Sequence, residues 1–159
     1  LGYSFYVMKG KCQLTVHPKS KAKMKSKLKE LTSRSNGWGY ARRKQKLKEY
    51  IRGWVGYYHL ANMKRHLLET DEWLRRRIRM CIWKAWKKVR TKVANLIRCG
   101  INKYQAYEWG NTRKGYWRIA NSGILHRAIT NEHLCRAGYA TLIGSYLECY
   151  HPKSAVLHI

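Results

Sequence analysis

Residues 47–58, LKEYIRGWVGYY, are the stretch that decides the predicted fold. Apolar and aromatic side chains recur there at Leu47, Tyr50, Ile51, Trp54 and Tyr58. Steps of three and four residues place side chains on one face of an α-helix. We therefore predict a helix through this segment, within a longer basic run that begins near residue 41. Beside or behind the apolar face lie Lys44, Lys46, Lys48 and Arg52.

Two glycines interrupt this pattern, Gly53 and Gly56. Each costs roughly 1 kcal/mol relative to alanine inside a helix. Their spacing of three residues indicates that another element packs close to the helix backbone. In the alternative interpretation, the helix ends near Arg52 and the glycines begin a loop. The continuous helix is favoured because Trp54 and Tyr58 keep the period of Leu47 and Ile51.

The composition limits the possible partners. A chain of 159 residues suits one domain, or one domain with a small appendage, and 45% hydrophobic residues are enough for a core. Lys and Arg number 34 against 8 Asp and Glu, a net charge of +26. Such self-repulsion disfavours a compact monomer without a polyanion. Nucleic acid is therefore the first candidate partner, and an anionic membrane surface the second.

The aromatic residues and the cysteines say less about the function. The 7 Trp and 12 Tyr suit either a core or the stacking of bases on a partly wet surface. The five cysteines are widely spaced and include no C-x-x-C pair, so neither a zinc site nor a redox motif is indicated. Unpaired cysteines are typical of a reducing compartment. The sequence shows neither a signal peptide nor an apolar run long enough to span a bilayer.

The first sixteen residues predict a β-hairpin. Tyr3, Phe5 and Val7 alternate with Ser4, Tyr6 and Met8, the turn is KGK at residues 9–11, and a second alternating run follows. An isolated two-stranded hairpin is marginally stable in water. The chain also lacks an initiator Met. We therefore expect the sequence to start inside a larger protein, with the hairpin as the last part of an upstream sheet.

Pro18 can open the next helix, in which Met24, Leu28 and Leu31 form an apolar stripe. A parallel stripe of like charge contains Lys21, Lys25 and Lys29. Like charges four residues apart destabilise an unbound helix, so the stripe suits a path along phosphates. The alternative is a merely solvated lysine face. Residues 33–39 are predicted as a loop.

A connection is predicted over residues 62–69, with or without one helical turn. Thr70 is the predicted cap of a helix from about Asp71 to Val89 or beyond. Its predicted buried face consists of Leu74, Ile78, Cys81, Ile82, Ala85 and Val89. A second stripe carries Arg76, Arg79, Lys87 and Arg90 around Trp83. This stripe is either a phosphate track with an aromatic stacking platform, or Trp83 belongs to the core. Residues 93–97 either continue this helix or restart it, and Gly100 is the predicted end.

Beyond residue 100 the periodicity is weaker. Residues 104–115 read as an ordered loop or short helices. Ser122 and Thr130 are predicted caps of short helices at residues 124–129 and 131–137, and Gly138 is the predicted stop. From Tyr150 onward we expect a frayed tail.

Several of these motifs together resemble a known family. The central part of the chain resembles the maturase-specific region (domain X, or thumb) of group II intron-encoded reverse transcriptases. The resemblance is carried by Pro18-Lys19-Ser20 before a basic helix, and then by Leu47, Tyr50, Arg52, Gly53, Trp54, Tyr57 and Tyr58. The LGYSF stretch at residues 1–5 resembles the strand that closes the palm. Residues 111–117, NTRKGYW, with the segment to Tyr139 resemble the short DNA-binding region of bacterial class C-like members.

The resemblance implies a mostly α fold: a terminal palm-type hairpin over residues 1–17, a thumb-like helical bundle over 18–100, a small DNA-binding-like helical and loop region over 101–150, and a tail over 151–159. The motif core by this resemblance comprises Leu47, Tyr50, Ile51, Arg52, Gly53, Trp54, Tyr57 and Tyr58. It further implies a bacterial protein of the cytoplasm or nucleoid.

No catalytic residue is predicted in this chain. Polymerases of the family hold Mg²⁺ with clustered carboxylates, and here Asp71 is the only Asp. We therefore expect neither a metal site nor a cofactor, with Mg²⁺ confined to a missing polymerase palm. An endonuclease pattern of paired cysteines with His-Asn-His is absent from the sequence as well.

The resemblance implies group II intron RNA as the main partner, with target DNA, an RNA–DNA template–primer duplex and upstream reverse-transcriptase fingers and palm as further partners, and no membrane. The predicted nucleic-acid contacts are Lys21, Lys25, Arg42, Arg43, Lys46, Arg76, Arg79, Lys87, Arg90, Arg113, Lys114 and Arg118. For Arg52 the alternative is a structural pairing with a helix neighbour.

Three other classes of protein fit parts of the pattern. The chain could be a fragment of an active reverse transcriptase in which the thumb role dominates. It could be a general basic RNA-binding or packaging protein without intron specificity. It could also be a membrane-surface amphipath, although several distinct apolar faces favour a globular core.

Overall fold

The computed structural model describes residues 1–150, in which a β-hairpin precedes a set of helices. The strands are β1 (Tyr3–Met8) and β2 (Lys11–Val16). The helices are α1 (Pro18–Leu31), α2 (Tyr40–Tyr58), α3 (Lys64–Ala85), α4 (Val89–Arg98), α5 (Lys103–Gly110), α6 (Tyr116–Ala120), α7 (Gly123–Ala128), α8 (Asn131–Arg136) and α9 (Leu142–Tyr150). The predicted fold class, mostly α with an N-terminal hairpin, is confirmed.

The central helix is continuous. α2 runs through the whole of residues 47–58 and buries Leu47, Ile51 and Val55 completely. Tyr50, Trp54 and Tyr58 are half-buried and pack against the same core. The buried side is therefore one position wider than the sequence pattern predicts, because Val55 belongs to it.

The two glycines of α2 face open space. A Cβ atom added at Gly53 or Gly56 would meet no heavy atom within 4 Å. The prediction that another element packs closely there is wrong for the described residues. Glycine is thus a cost to the isolated helix at both positions, because no close approach within residues 1–150 requires it.

The hairpin is held against the end of α2. β1 and β2 pair antiparallel from Tyr3↔Val16 to Met8↔Lys11. The Tyr3 hydroxyl donates to the Tyr57 carbonyl at 2.5 Å, and the Tyr57 hydroxyl donates to the Leu1 carbonyl at 3.1 Å. Gly2 has a φ of +83°, and a Cβ there would overlap the Tyr58 hydroxyl. Gly2 is therefore required both by its backbone conformation and by space.

The start of α3 differs from the prediction. The helix begins at Lys64, within the predicted connection, and Thr70 lies inside it, where its hydroxyl donates to the His66 carbonyl at 2.8 Å. Asp71 does not serve its own helix. Its carboxylate accepts hydrogen bonds from the backbone N–H groups of Leu142 and Ile143 at 2.8 and 2.9 Å. A side chain from α3 therefore caps α9, which the sequence pattern did not predict.

The long helix predicted to reach Val89 or beyond is two helices. α3 ends at Ala85, three residues form a break, and α4 restarts at Val89. Ile82 is only half-buried, and Ala85 and Val89 are exposed, contrary to the predicted buried face. The restart lets α4 bury Val93 and Leu96 beside α5.

The contact between α4 and α5 depends on Gly110. A Cβ atom added there would lie 2.5 Å from the Cγ2 atom of Val93. Only a residue without a side chain allows the two helices to approach this closely.

The C-terminal part packs onto the preceding helices, with α6 against α3 and α9 against α2 and α3. Ser122 and Thr130 cap α7 and α8 as predicted, with hydroxyl oxygens accepting from the N–H groups of Leu125 and His133. α9 was not predicted. It includes Tyr150, whose hydroxyl donates to the His59 carbonyl, so the expected tail does not begin there. The rest of the predicted tail, residues 151–159, lies outside the described residues.

Candidate nucleic-acid interface

A cleft lies where α1, the loop after it, α3 and α6 meet. We call it the tryptophan cleft, because Trp73 of α3 and Trp117 of α6 both line it. Its volume is about 750 Å³. The other lining residues are Ala22, Lys25, Ser26, Lys29, Ser33, Arg34, Ser35, Arg77 and Met80. Cations, hydroxyls and indole rings thus converge on one concave surface, and no acidic side chain of residues 1–150 lines it.

Arg77 fixes the geometry of this cleft. Its Nε atom donates to the Thr32 hydroxyl at 2.8 Å, and its Nη2 atom donates to the carbonyls of Lys29 and Thr32 at 3.2 and 3.1 Å. These carbonyls belong to the C-terminal end of α1, where helical carbonyls lack partners and a positive charge is favourable. Burial lowers the pKa of Arg77. The guanidinium therefore ties α3 to α1, and its main role is structural.

The short helix α6 gathers cations from three other parts of the chain. The guanidinium of Arg76 stacks 3.7 Å from the Trp117 ring centroid and donates two hydrogen bonds to the Trp117 carbonyl. Arg34 and Lys92 lie over the Tyr116 ring at 5.2 and 5.8 Å. Each such contact is worth about 0.5–1 kcal/mol at an exposed site. The segment NTRKGYW singled out by the sequence therefore provides the aromatic wall on which basic side chains of the helical bundle rest.

Two predicted contact residues are buried, and the structure removes them from the candidate interface. Arg79 is 2% exposed and donates to the Ile129 carbonyl and to Asn131 Oδ1, both at 2.8 Å. Arg43 is 4% exposed and donates to the Ser33 carbonyl and to Asn36 Oδ1. Both guanidiniums hold loops from inside the fold, so neither reaches a phosphate at the surface.

The predicted stripe around Trp83 is also wrong as a continuous track. Trp83 is 1% exposed and belongs to the core. The break after α3 separates Lys87 and Arg90 from Arg76, and Arg79 points inward. Of the two alternatives for Trp83, the core position is therefore confirmed and the stacking platform is wrong.

The lysine stripe of α1 lies beside α3. Lys25 and Lys29 line the tryptophan cleft, and the Lys25 ammonium lies 5.0 Å above the Trp73 ring centroid. Burial lowers the pKa of His66 on α3, and Lys21 lowers it further. Burial also lowers the pKa of His126 on α7, and the charge of Arg79 lowers it further. In both cases burial is the main cause, and the nearby cations add to it.

The remaining predicted contacts lie on the surface but not in one group. Arg42 and Lys46 project from α2, where Arg42 lies 4.9 Å over the Trp38 ring and Lys46 pairs with Glu49. Exposed positions after α3 are occupied by Lys87, Arg90, Arg113, Lys114 and Arg118. Lys114 rests 5.1 Å over Trp109. Among the described residues Arg52 forms no ion pair, so the alternative of a structural pairing for it finds no support there.

Few of the positive charges are neutralised inside the protein. Within residues 1–150 the ion pairs all join exposed side chains one helical turn apart: Lys27–Glu30, Lys46–Glu49, Arg65–Glu69 and Arg136–Glu132. Such pairs contribute only about 0.3–0.5 kcal/mol each. Most Lys and Arg side chains of the described part therefore retain their charge for an external polyanion.

Several residues of the cleft are absent from the contacts predicted from the sequence: Arg34, Trp73, Arg77 and Trp117. Lys29 was predicted only as part of the lysine stripe of α1. The spacing of residues in the sequence could have indicated some of them. Trp73, Arg76 and Arg77 are spaced three and four residues apart on one face of α3, and the lysine stripe of α1 has the same period. Only the packing of α1 on α3 shows that the two faces meet.

Comparison with protein-family models gives a match to the maturase-specific domain of group II introns over residues 21–100. The chain belongs to this family. The resemblance seen in the Arg-Gly-Trp centre of α2 is thereby confirmed, and with it a group II intron maturase role. A search of curated proteins finds no match to the chain.

The maturase-specific domain, as matched, reaches from the first turn of α1 to the glycine after α4. It supplies Lys25, Trp73 and Arg77 to the tryptophan cleft, whereas Trp117 lies outside the matched range. The boundaries of the four predicted segments stay a prediction.

Two further findings concern the described part of the maturase chain. Among residues 1–150, no three His, Cys, Asp or Glu side chains lie close enough together to hold a metal ion. The expectation that no cofactor binds here stays a prediction. None of the helices in this range is both long and apolar enough to cross a bilayer.

Proposed function

We propose that this chain binds group II intron RNA and stabilises its folded, splicing-competent form. The observation that carries the proposal is the gathering of unpaired cations and aromatic rings around α6 in a member of the maturase family. A protein that binds only the folded RNA stabilises that state by mass action. No catalytic group of the protein is needed for this effect.

The contacts are mainly electrostatic. The surface candidates that remain after Arg43 and Arg79 are removed are Lys21, Lys25, Arg42, Lys46, Arg76, Lys87, Arg90, Arg113, Lys114 and Arg118. A-form RNA helices are recognised largely through phosphates, shape and 2′-hydroxyl groups. Each neutralised phosphate contributes about −0.7 to −0.9 to the slope of log K against log salt. On the order of ten contacts would therefore give a steep salt dependence.

The resemblance extends the proposal to a longer protein. There the same helices would clamp an RNA–DNA template–primer duplex during reverse transcription, and the segment around α6 would contact target DNA during intron mobility. Lys48 and Arg52, which are exposed and four residues apart on α2, support a duplex contact because they share one side of the helix. The alternative is a general basic RNA-binding protein without intron specificity.

Charge-neutral variants test the interface. In Arg90→Gln/Arg113→Gln, two exposed guanidiniums without internal partners among the described residues are removed. We expect the salt slope for intron RNA, measured by filter binding, to fall by about 1.4–1.8, and the melting temperature to stay unchanged. The matched control is Lys9→Gln/Lys11→Gln at the hairpin turn, which removes the same charge. If both variants change the slope equally, the proposed interface is wrong.

A further inference from the structure

The size of the tryptophan cleft restricts what can enter it. Its volume of about 750 Å³ lies in the range of small-molecule sites, roughly 300–1,000 Å³. A double helix recognised by groove shape and backbone contacts rests on a protein surface and does not fit inside a cavity of this size. A nucleotide unit that has left its helix does fit. The cleft therefore suits single-stranded or extruded nucleotides.

The chemistry of the lining matches the two halves of a nucleotide. Lys25, Lys29 and Arg34 provide the positive charge of the lining, and none of them forms an ion pair among the described residues. Trp73 and Trp117 provide its aromatic surface. Phosphate is favoured by the first set, and a base of any identity stacks on the second.

The two indoles are held in place before any ligand arrives. Arg77, anchored to the end of α1, lies 5.6 Å from the Trp73 centroid and 6.0 Å from the Trp117 centroid. By contrast, the ammonium of Lys25 above Trp73 is on the flexible four-carbon stem of an exposed residue. A base can take its place on the ring, and the displaced ammonium is then free to contact the adjoining phosphate.

We propose that the tryptophan cleft binds an unpaired nucleotide of the RNA, with its base stacked on Trp73 and its phosphate held by Lys25, Lys29 and Arg34. This inference rests on the RNA-binding function proposed above and identifies the part of the RNA that this surface takes. The rest of the basic surface contacts paired regions through their backbones.

The test uses two RNA hairpins with identical stems and short single-stranded tails. One tail carries normal nucleotides, and the other has the same phosphates and sugars without bases. Because their charges are equal, the phosphate contribution to binding cancels in the comparison. Stacking of one base on an aromatic side chain increases the affinity about tenfold. We therefore expect the protein to bind the normal tail about tenfold more tightly at a fixed ionic strength.

Variants assign the difference to the cleft. Trp73→Leu should abolish the preference for the normal tail, Trp73→Phe should restore most of it, and Trp117→Leu, at a more exposed position, should reduce it. Lys25→Gln should weaken binding to both hairpins. The matched control Trp109→Leu removes an indole that also lies under a lysine but not in the cleft, and it should leave the preference intact.

The outcomes separate the two proposals. Equal, tight binding of both tails by the unmodified protein overturns the nucleotide site and leaves RNA binding standing. The nucleotide site is also overturned if Trp73→Leu weakens both hairpins by the same factor, since the residue then acts through the fold. Absence of binding to folded intron RNA as well as to both hairpins overturns the proposed function and this inference together.

Discussion

Replacement of Asp71 by asparagine is the sharpest test of how the C-terminal helix is attached. Asp71 is 1% exposed, and its two carboxylate oxygens accept from the N–H groups of Leu142 and Ile143. These donors are the first N–H groups of α9, which have no partner within the helix. Asparagine has the same shape but offers one oxygen and one NH₂ group. One backbone donor would then face another donor.

The expected loss in the free energy of unfolding follows from the hydrogen bonds that Asp71→Asn removes. A hydrogen bond to a charged acceptor contributes about 1.5–3 kcal/mol, and an unsatisfied buried N–H costs about 1–3 kcal/mol. Burial raises the pKa of Asp71 while the amides of Ile143 and Leu142 and the charge of Arg75 oppose the rise, so the carboxylate already bears a desolvation cost. Asparagine is free of that cost. We therefore expect a net loss of about 2–3 kcal/mol in the free energy of unfolding.

For a protein of this size that loss lowers the melting temperature by roughly 4–12 °C. Thermal unfolding followed by circular dichroism measures it, and hydrogen exchange at the Leu142 and Ile143 amides locates it. Glu72→Gln, an exposed neighbour on α3, is the control and should melt within about 1 °C of the unmodified protein. If Asp71→Asn melts at the same temperature as this control, with unchanged amide protection, then Asp71 of α3 does not cap α9.

Three other predictions concern stability. Gly2→Ala should lower the free energy of unfolding, measured by chemical denaturation, by about 2–4 kcal/mol. The loss is expected because alanine disfavours the left-handed backbone and its Cβ atom would overlap the Tyr58 hydroxyl. Gly53→Ala and Gly56→Ala should each stabilise the protein by roughly 0.5–1 kcal/mol in the same assay, because both positions open to solvent; destabilisation would indicate a packing contact. Because the folded pKa values of His66 and His126 lie below the ordinary 6.5, the unfolded state takes up protons first, so stability should fall as the pH drops below 6.5. Replacing both histidines with glutamine should flatten that part of the pH profile, and an unchanged slope would contradict the assignment.

Periodicity predicted the parts of the fold that local sequence determines. The steps of three and four residues in LKEYIRGWVGYY placed α2, and the alternation of the first sixteen residues placed the hairpin. Ser122 and Thr130 located the starts of two short helices because a cap acts within a few residues of itself. These signals depend on neighbours in the chain, so they are readable without the fold.

Contacts between distant segments were not predictable in the same way. Asp71 looked like a cap for the helix that contains it, and only the arrival of α9 gives it a different partner. Arg79 has the spacing of a surface stripe, yet the packing of the segment after α7 buries it. Periodicity tells which residues share a face of a helix but not which later element covers that face.

The candidate interface shows the same division. The sequence identified a basic chain with interleaved aromatic residues and the family motif, and it named Lys25 and Arg76. It did not bring Trp73 and Trp117 together, because 44 positions separate them in the sequence and only the packing of α6 on α3 joins them. A concave site built from two such elements can be recognised only from the fold.

The central claim is that this basic surface binds folded group II intron RNA. The most direct measurement is filter binding of labelled intron RNA in competition with an unlabelled structured RNA of equal length and unrelated fold. We expect unlabelled intron RNA to displace the label at a concentration at least about tenfold lower than the unrelated RNA does, which corresponds to about 1.4 kcal/mol of preference. Equal displacement by both RNAs would contradict it and would indicate a general basic RNA-binding protein.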